Sequence, residues 1–126
     1  MDQSGIYWSY TLITDGENMA STEHVELVND ENFGAKVAHG VTLVDFYADW
    51  CGPCRMLTPV IHEVAHELHS KAKFVKVDVD ASQKIAAQFQ VMSIPTLVLL
   101  KNGQEIGRLV GLRDAKTIRH FVESHL

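Results

Sequence analysis

Asp45-Phe46-Tyr47-Ala48-Asp49-Trp50-Cys51-Gly52-Pro53-Cys54-Arg55-Met56 joins two segments of opposite periodicity. On its N-terminal side, Val41–Tyr47 is a short apolar run rich in β-branched and aromatic residues, the composition of a buried strand. On its C-terminal side, Leu57, Val60, Ile61, Val64, Ala65 and Leu68 recur at helical spacing. Cys51 therefore falls where a strand hands over to a helix N-terminus, and Cys54 falls one turn inside. Unpaired backbone N–H groups and the helix dipole favour negative charge at such a terminus, and a thiolate is a negative charge. Pro53 suits the first helical turn, where its missing N–H has no helical partner to lose.

These are the only 2 cysteines in 126 residues. A zinc site needs a second ligand pair at close spacing, and the chain has no second Cys pair. A structural disulfide closing so short a loop would constrain the unfolded chain little. A redox dithiol is the third reading, and the strand–C-x-x-C–helix context favours it.

The rest of the chain completes the frame. Glu23–Val28 reads as a short strand, and Asn29 or Asp30 can cap a helix that carries Phe33 and Val37 inward and ends at Gly40. The helix after the cysteines runs from about Pro53 to Ser70, with a kink expected at Pro59. Phe74–Val79 is a third strand, Ser82–Phe89 a short helix and Pro95–Leu100 a fourth strand. Lys101-Asn102-Gly103-Gln104 is a hairpin signal, since Asn-Gly supplies the positive φ angles of a type I′ turn. Glu105–Val110 is the fifth strand, with Gly107 as a bulge site. Asp114 caps a last helix with Ile118, Phe121 and Val122 as its apolar stripe. The βαβαβ order followed by helix, hairpin and helix implies an α/β fold. A central mixed five-stranded sheet would be flanked by four helices.

The segment Asp45–Met56 resembles the active-site segment of the thioredoxin family, and the resemblance extends from about Glu23 to Leu126. Trp-Cys-Gly-Pro-Cys is specific, because relatives in the superfamily carry other residues between the cysteines. Tyr47 departs from the pattern, since many members have a second Trp there. The resemblance implies the thioredoxin fold over 23–126; residues 1–22 lie outside it and, as a terminus, read as a flexible extension, the alternative being an edge strand or partner segment. It implies a general protein disulfide reductase, a thiol–disulfide oxidoreductase. A flavin-dependent thioredoxin reductase using NADPH would re-reduce it, and its partners would be disulfide-containing clients. The chain itself would bind no cofactor beyond the Cys51–Cys54 redox disulfide. Rival roles on the same frame are an oxidase or isomerase, and a binding subunit with no catalytic use of its thiols.

Within that reading Cys51 is the nucleophile, its pKa lowered and its sulfur exposed at the helix start. Cys54 is the resolving thiol, shielded within the first turn. Gly-Pro between them adds no charge, whereas a His would make the pair more oxidising. Asp45 lies in a strand apolar on both sides, so desolvation should raise its pKa. It could then accept the Cys54 proton. Lys76 matches the family's lysine near that carboxylate and is a candidate modulator. Pro95 matches the proline opposite the cysteines, cis in the family, which bares the Ile94 backbone for pairing with an extended client. Trp50, Gly52, Pro53, Ile94, Pro95, Val110 and Gly111 form the expected client platform.

His62-Glu63-Val64-Ala65-His66 also matches the H-E-x-x-H zinc-protease pattern. Helical geometry, however, puts His62, His66 and His69 on the face opposite Leu57, Ile61, Val64 and Leu68, toward water. No catalytic metal is expected there.

Apolar residues make up 46% of the chain, mean hydropathy is −0.02, net charge −5 and pI about 5.7. With no basic cluster, nucleic acid is not an expected partner. No apolar run reaches the ~18 residues of a membrane span. A lone C-x-x-C fits a reducing compartment, so a cytoplasmic monomer is expected. Residues 1–22 lack both the basic n-region of a secretion signal and the Arg of a transit peptide.

Overall fold

The computed structural model of the chain describes residues 24–126. In chain order the elements are β1 (Val25–Leu27), α1 (Phe33–Lys36), β2 (Val41–Tyr47), α2 (Gly52–Leu68), β3 (Lys73–Asp78), α3 (Gln83–Gln88), β4 (Thr96–Lys101), β5 (Gln104–Val110) and α4 (Ala115–Glu123). The strands form one sheet in the order β1-β3-β2-β4-β5. β3 pairs in parallel with β1 and β2, whereas β4 pairs antiparallel with β2 and β5. The expected mixed five-stranded sheet with four helices is the architecture observed. The expectations for residues 1–22, and for Glu23 as the start of the first strand, lie outside the described residues.

Strand alternation explains the layering. Val41 and Leu43 on β2, with Leu97 and Leu99 on β4, face Leu57, Ile61, Val64 and Leu68 of α2 and Ile118 and Val122 of α4. Val44 and Phe46, with Val75, Val77, Val98 and Leu100, face Phe33 and Val37 of the α1 region and Ile85 and Phe89 of the α3 region. β2 and β4 are thus buried on both faces, which is why they read as unbroken apolar runs. The edge strand β5 is exposed or half-buried throughout and alternates less strictly.

Several local expectations need correction. α1 ends at Lys36, well before Gly40. Gly40 has φ +77° and serves the following loop: its N–H donates to Asn102 Oδ1 at 2.8 Å, and the Asn102 N–H donates to Gly40 O at 2.9 Å. The β4–β5 hairpin tip is thereby tied to the entry of β2. Asn29 caps the turn before α1, accepting from the N–H groups of Glu31 and Asn32. Asp30 does not. Its Oδ1 accepts from Ile85 N–H at 3.0 Å, so it caps the distant α3, whose own Ser82 makes no side-chain cap.

The hairpin follows the Asn-Gly signal, with φ of 51° at Asn102 and 84° at Gly103. The β4–β5 register slips between Leu99 and Leu100, which pair with Gly107 and Glu105 and leave Ile106 as the extra residue beside Gly107. A Cβ on Gly107 would sit 3.1 Å from the Phe121 ring, so this glycine also lets α4 approach. α2 continues helically through Pro59 for 17 residues.

Candidate active site

Cys51 occupies the N-cap of α2 with extended backbone angles, φ −89° and ψ 112°. A residue there turns its side chain back over the helix start, where N–H groups lack helical partners. The Cys54 N–H accordingly donates to Cys51 Sγ at 3.2 Å. Cys51 and Cys54 are joined in a disulfide with Cα atoms 5.2 Å apart. The two sulfurs share a small cluster with Ala48, packed by Tyr47, Val79 and Ile94.

Cys51 was expected to expose its sulfur, but the residue is only 5% exposed, against 2% for Cys54. The segment before β4 folds over it: Ile94 O lies 3.9 Å from Cys51 Sγ. What distinguishes the two cysteines is the helix terminus rather than exposure. Cys51 Sγ receives the first-turn N–H, and Cys54 supplies it.

The Ile94–Pro95 peptide is cis. Pro95 is buried and its carbonyl accepts from Gly111 N–H at 2.8 Å, so the start of β4 and the end of β5 meet opposite the cysteines. Gly111 has φ +93°, which glycine adopts without strain. Around the disulfide, Trp50 and Val110 are exposed, Gly52 and Ile94 are half-buried and Pro53 is exposed. Trp50 and Ile94 join Val79, Val91, Met92 and Ser93 in lining a shallow apolar groove. The Trp50 indole is oriented by a 2.9 Å hydrogen bond from Nε1 to Asp80 Oδ2. Sequence reasoning did not include Met92 and Asp80. Met92 is 92% exposed and lines the groove with Trp50 and Ile94, an exposure that its place in the sequence does not announce.

Asp45 lies two residues before Tyr47 on β2, on the face that α2 covers. It is buried, and its Oδ1 has no hydrogen-bond partner. Desolvation pushes its pKa from 3.8 to about 7, partly opposed by the charge of Lys76. Lys76 is the register partner of Asp45 on β3 and is half-buried.

The histidines divide differently from the helical-wheel expectation. His66 and His69 are exposed, and His69 stacks on His24 with ring centroids 3.8 Å apart. His62 is half-buried, and burial together with the Lys76 charge lowers its pKa. Among the described residues, no group of three or more His, Cys, Asp or Glu side chains is arranged to hold a metal ion. None of their helices is long and apolar enough to cross a membrane.

The family model named Thioredoxin matches residues 24–124. A thioredoxin of Chlamydia trachomatis is 46% identical over 101 residues, covering 80% of this chain and 98% of the relative. A thioredoxin of Staphylococcus saprophyticus is 44% identical over 99 residues, covering 79% of this chain and 95% of the relative. Among solved structures, a mutant thioredoxin from Halobacterium salinarum superposes with a TM-score of 0.74 at 38% identity, covering 80% of this chain and 89% of that one. The matched span carries the whole described sheet together with the capped cysteine pair, and on that ground the chain belongs to the thioredoxin family.

Proposed function

We propose that the chain is a general protein disulfide reductase whose reaction begins at Cys51. Family membership and the Cys51–Cys54 pair make it a thiol–disulfide oxidoreductase. The observation that carries the assignment of roles is the Cys54 N–H aimed at Cys51 Sγ at the head of a 17-residue helix. In the reduced chain that N–H and the helix dipole stabilise a thiolate on Cys51.

The Cys51 thiolate attacks one sulfur of a client disulfide, forming a mixed disulfide and releasing one client thiolate. Cys54 loses its proton to Asp45 and attacks Cys51 Sγ. The Cys51–Cys54 disulfide forms, and the second client thiolate leaves. Two electrons pass from the dithiol to the client. The elevated pKa of Asp45 suits it to take a thiol proton near neutrality, and Lys76 tempers that affinity.

Trp50, Gly52, Pro53, Ile94, Pro95, Val110 and Gly111 form the client platform in this reading. The half-buried Ile94 offers backbone for strand-like pairing with an extended client. A flavin-dependent thioredoxin reductase drawing on NADPH returns the pair to the dithiol, and the chain binds no cofactor of its own. The protein acts as a cytoplasmic monomer. Residues 23–126 carry the activity, and a chain starting at Met19 should retain it.

The test is reduction of a protein disulfide, followed by NADPH consumption in the presence of a thioredoxin reductase. Activity dependent on both cysteines is expected. Retention of function by the double Cys51→Ser, Cys54→Ser chain would mean a binding module instead.

A further inference from the structure

Tyr47 closes β2 two residues beyond Asp45, and so on the same face of the sheet. Lys76, the register partner of Asp45, places its Nζ over the Tyr47 ring, 5.5 Å from the centroid. That is inside the ~6 Å within which a ring face attracts a cation. The buried Asp45 Oδ1 has no hydrogen-bond partner, and the charge of Lys76 is what opposes the desolvation of the carboxylate. A lysine head on a flexible stem extends to water unless something holds it. The Tyr47 ring is such a hold.

The ionisable groups facing this pair come from each neighbouring element. Tyr47 and Asp49 lie on and just after β2, Asp78 on β3 is the register partner of Tyr47, and His62 on α2 feels Lys76. β4 presents the uncharged Leu97 to Asp45. Asp78 is engaged elsewhere, its Oδ1 accepting from Asp80 N–H at 2.9 Å.

We infer that Tyr47 is a positioning residue: its ring face holds the Lys76 ammonium beside Asp45 and so sets how readily Asp45 accepts the Cys54 proton. The inference rests on the proton-accepting role proposed above.

The test combines two readouts on the reduced full chain: titration of the Asp45 carboxyl by carbon NMR, and single-turnover resolution of a mixed disulfide on Cys51 across neutral pH. Tyr47→Leu should raise the Asp45 midpoint by about half a pH unit. Tyr47→Phe and Tyr47→Trp should keep it. Lys76→Met should raise it at least as far, and adding Tyr47→Leu to Lys76→Met should add nothing. Tyr47→Met serves as a second ring-free variant if Tyr47→Leu does not fold. An unchanged or lowered midpoint in the ring-free variants overturns the inference, as does a full shift persisting in the Lys76→Met background. A resolution profile unaltered by Asp45→Asn overturns the role of Asp45 instead, and the carboxyl titration still decides what the ring does to the ammonium.

Discussion

The backbone N–H of Cys54 points at Cys51 Sγ across 3.2 Å, so the second cysteine of the motif aims at the sulfur of the first a donor that would stabilise a thiolate there. Cys54 has no equivalent donor among the hydrogen bonds of the first turn; its own carbonyl accepts from Thr58 Oγ1. This asymmetry predicts distinct failures. Cys51→Ser should abolish disulfide reduction, whereas Cys54→Ser should accumulate a stable mixed disulfide with the client on Cys51. Mass spectrometry of each variant after exposure to a disulfide client reads the difference. Equal trapping by both variants would remove the basis for assigning the nucleophile.

Trp50 illustrates a contact that would shape the proposed client platform without holding the fold. The residue is 69% exposed, and its Nε1 is anchored on Asp80 Oδ2. Asp80→Ala should free the indole while leaving the core intact. Losing one hydrogen bond is worth roughly 0.5–1.5 kcal/mol, a factor of about 2–10. The expected result is a rise of that size in client KM with kcat nearly unchanged, and a thermal midpoint close to that of the parent. Steady-state kinetics with melting curves check it, and a fall in kcat alone would place Asp80 in the chemistry rather than the docking.

Asp30 ties β1's exit loop to α3, more than fifty residues downstream, through Ile85 N–H. α3 has six residues, too few to be stable without tertiary support. Asp30→Ala should cost about 1 kcal/mol, the usual worth of an N-cap, and lower the thermal midpoint by several degrees. Asp30→Asn, which keeps an acceptor oxygen, should cost much less. Denaturant melts of the two variants separate capping from charge.

The contrast between Asp30 and Cys51 shows what the sequence could carry. The β2–α2 junction, the Asn102-Gly103 turn and the Asp114 cap are set by signals within a few residues, and each was readable there. Asp114 does accept from Thr117 N–H at 2.9 Å. Asn29 and Asp30 read as equal candidates for the cap of the helix beside them, because nothing local reveals that Asp30 has its partner on α3. The burial of Cys51 escaped for the same reason, since the covering residues around Ile94 are 43 positions away. Asp45 was legible because its burial follows from the strand that carries it. The half-burial of His62 was not, because a helical wheel carries no information about what packs beside the helix.

Asp45→Asn should make the protein more stable and a slower reductant. Burial holds the folded pKa of Asp45 at about 7, against 3.8 ordinarily. Between those values the unfolded chain is ionised while the folded one keeps its proton, so the folded state binds more protons and stability falls as pH rises. The penalty is absent below about pH 4, grows through the acid range and is complete above pH 7, where it reaches at most roughly 4 kcal/mol. An amide avoids the charge but still buries polar atoms beside an acceptor site that lacks a donor, so the net gain should be smaller than that ceiling. Denaturant midpoints should therefore coincide at low pH and separate in favour of Asn at neutral pH. In single-turnover kinetics the loss should fall on the step in which Cys54 resolves the mixed disulfide, because that thiol has lost its proton acceptor. An Asn variant no more stable at pH 7 would mean that the carboxylate is well solvated or paired, and the proton-accepting role would then lack its physical basis.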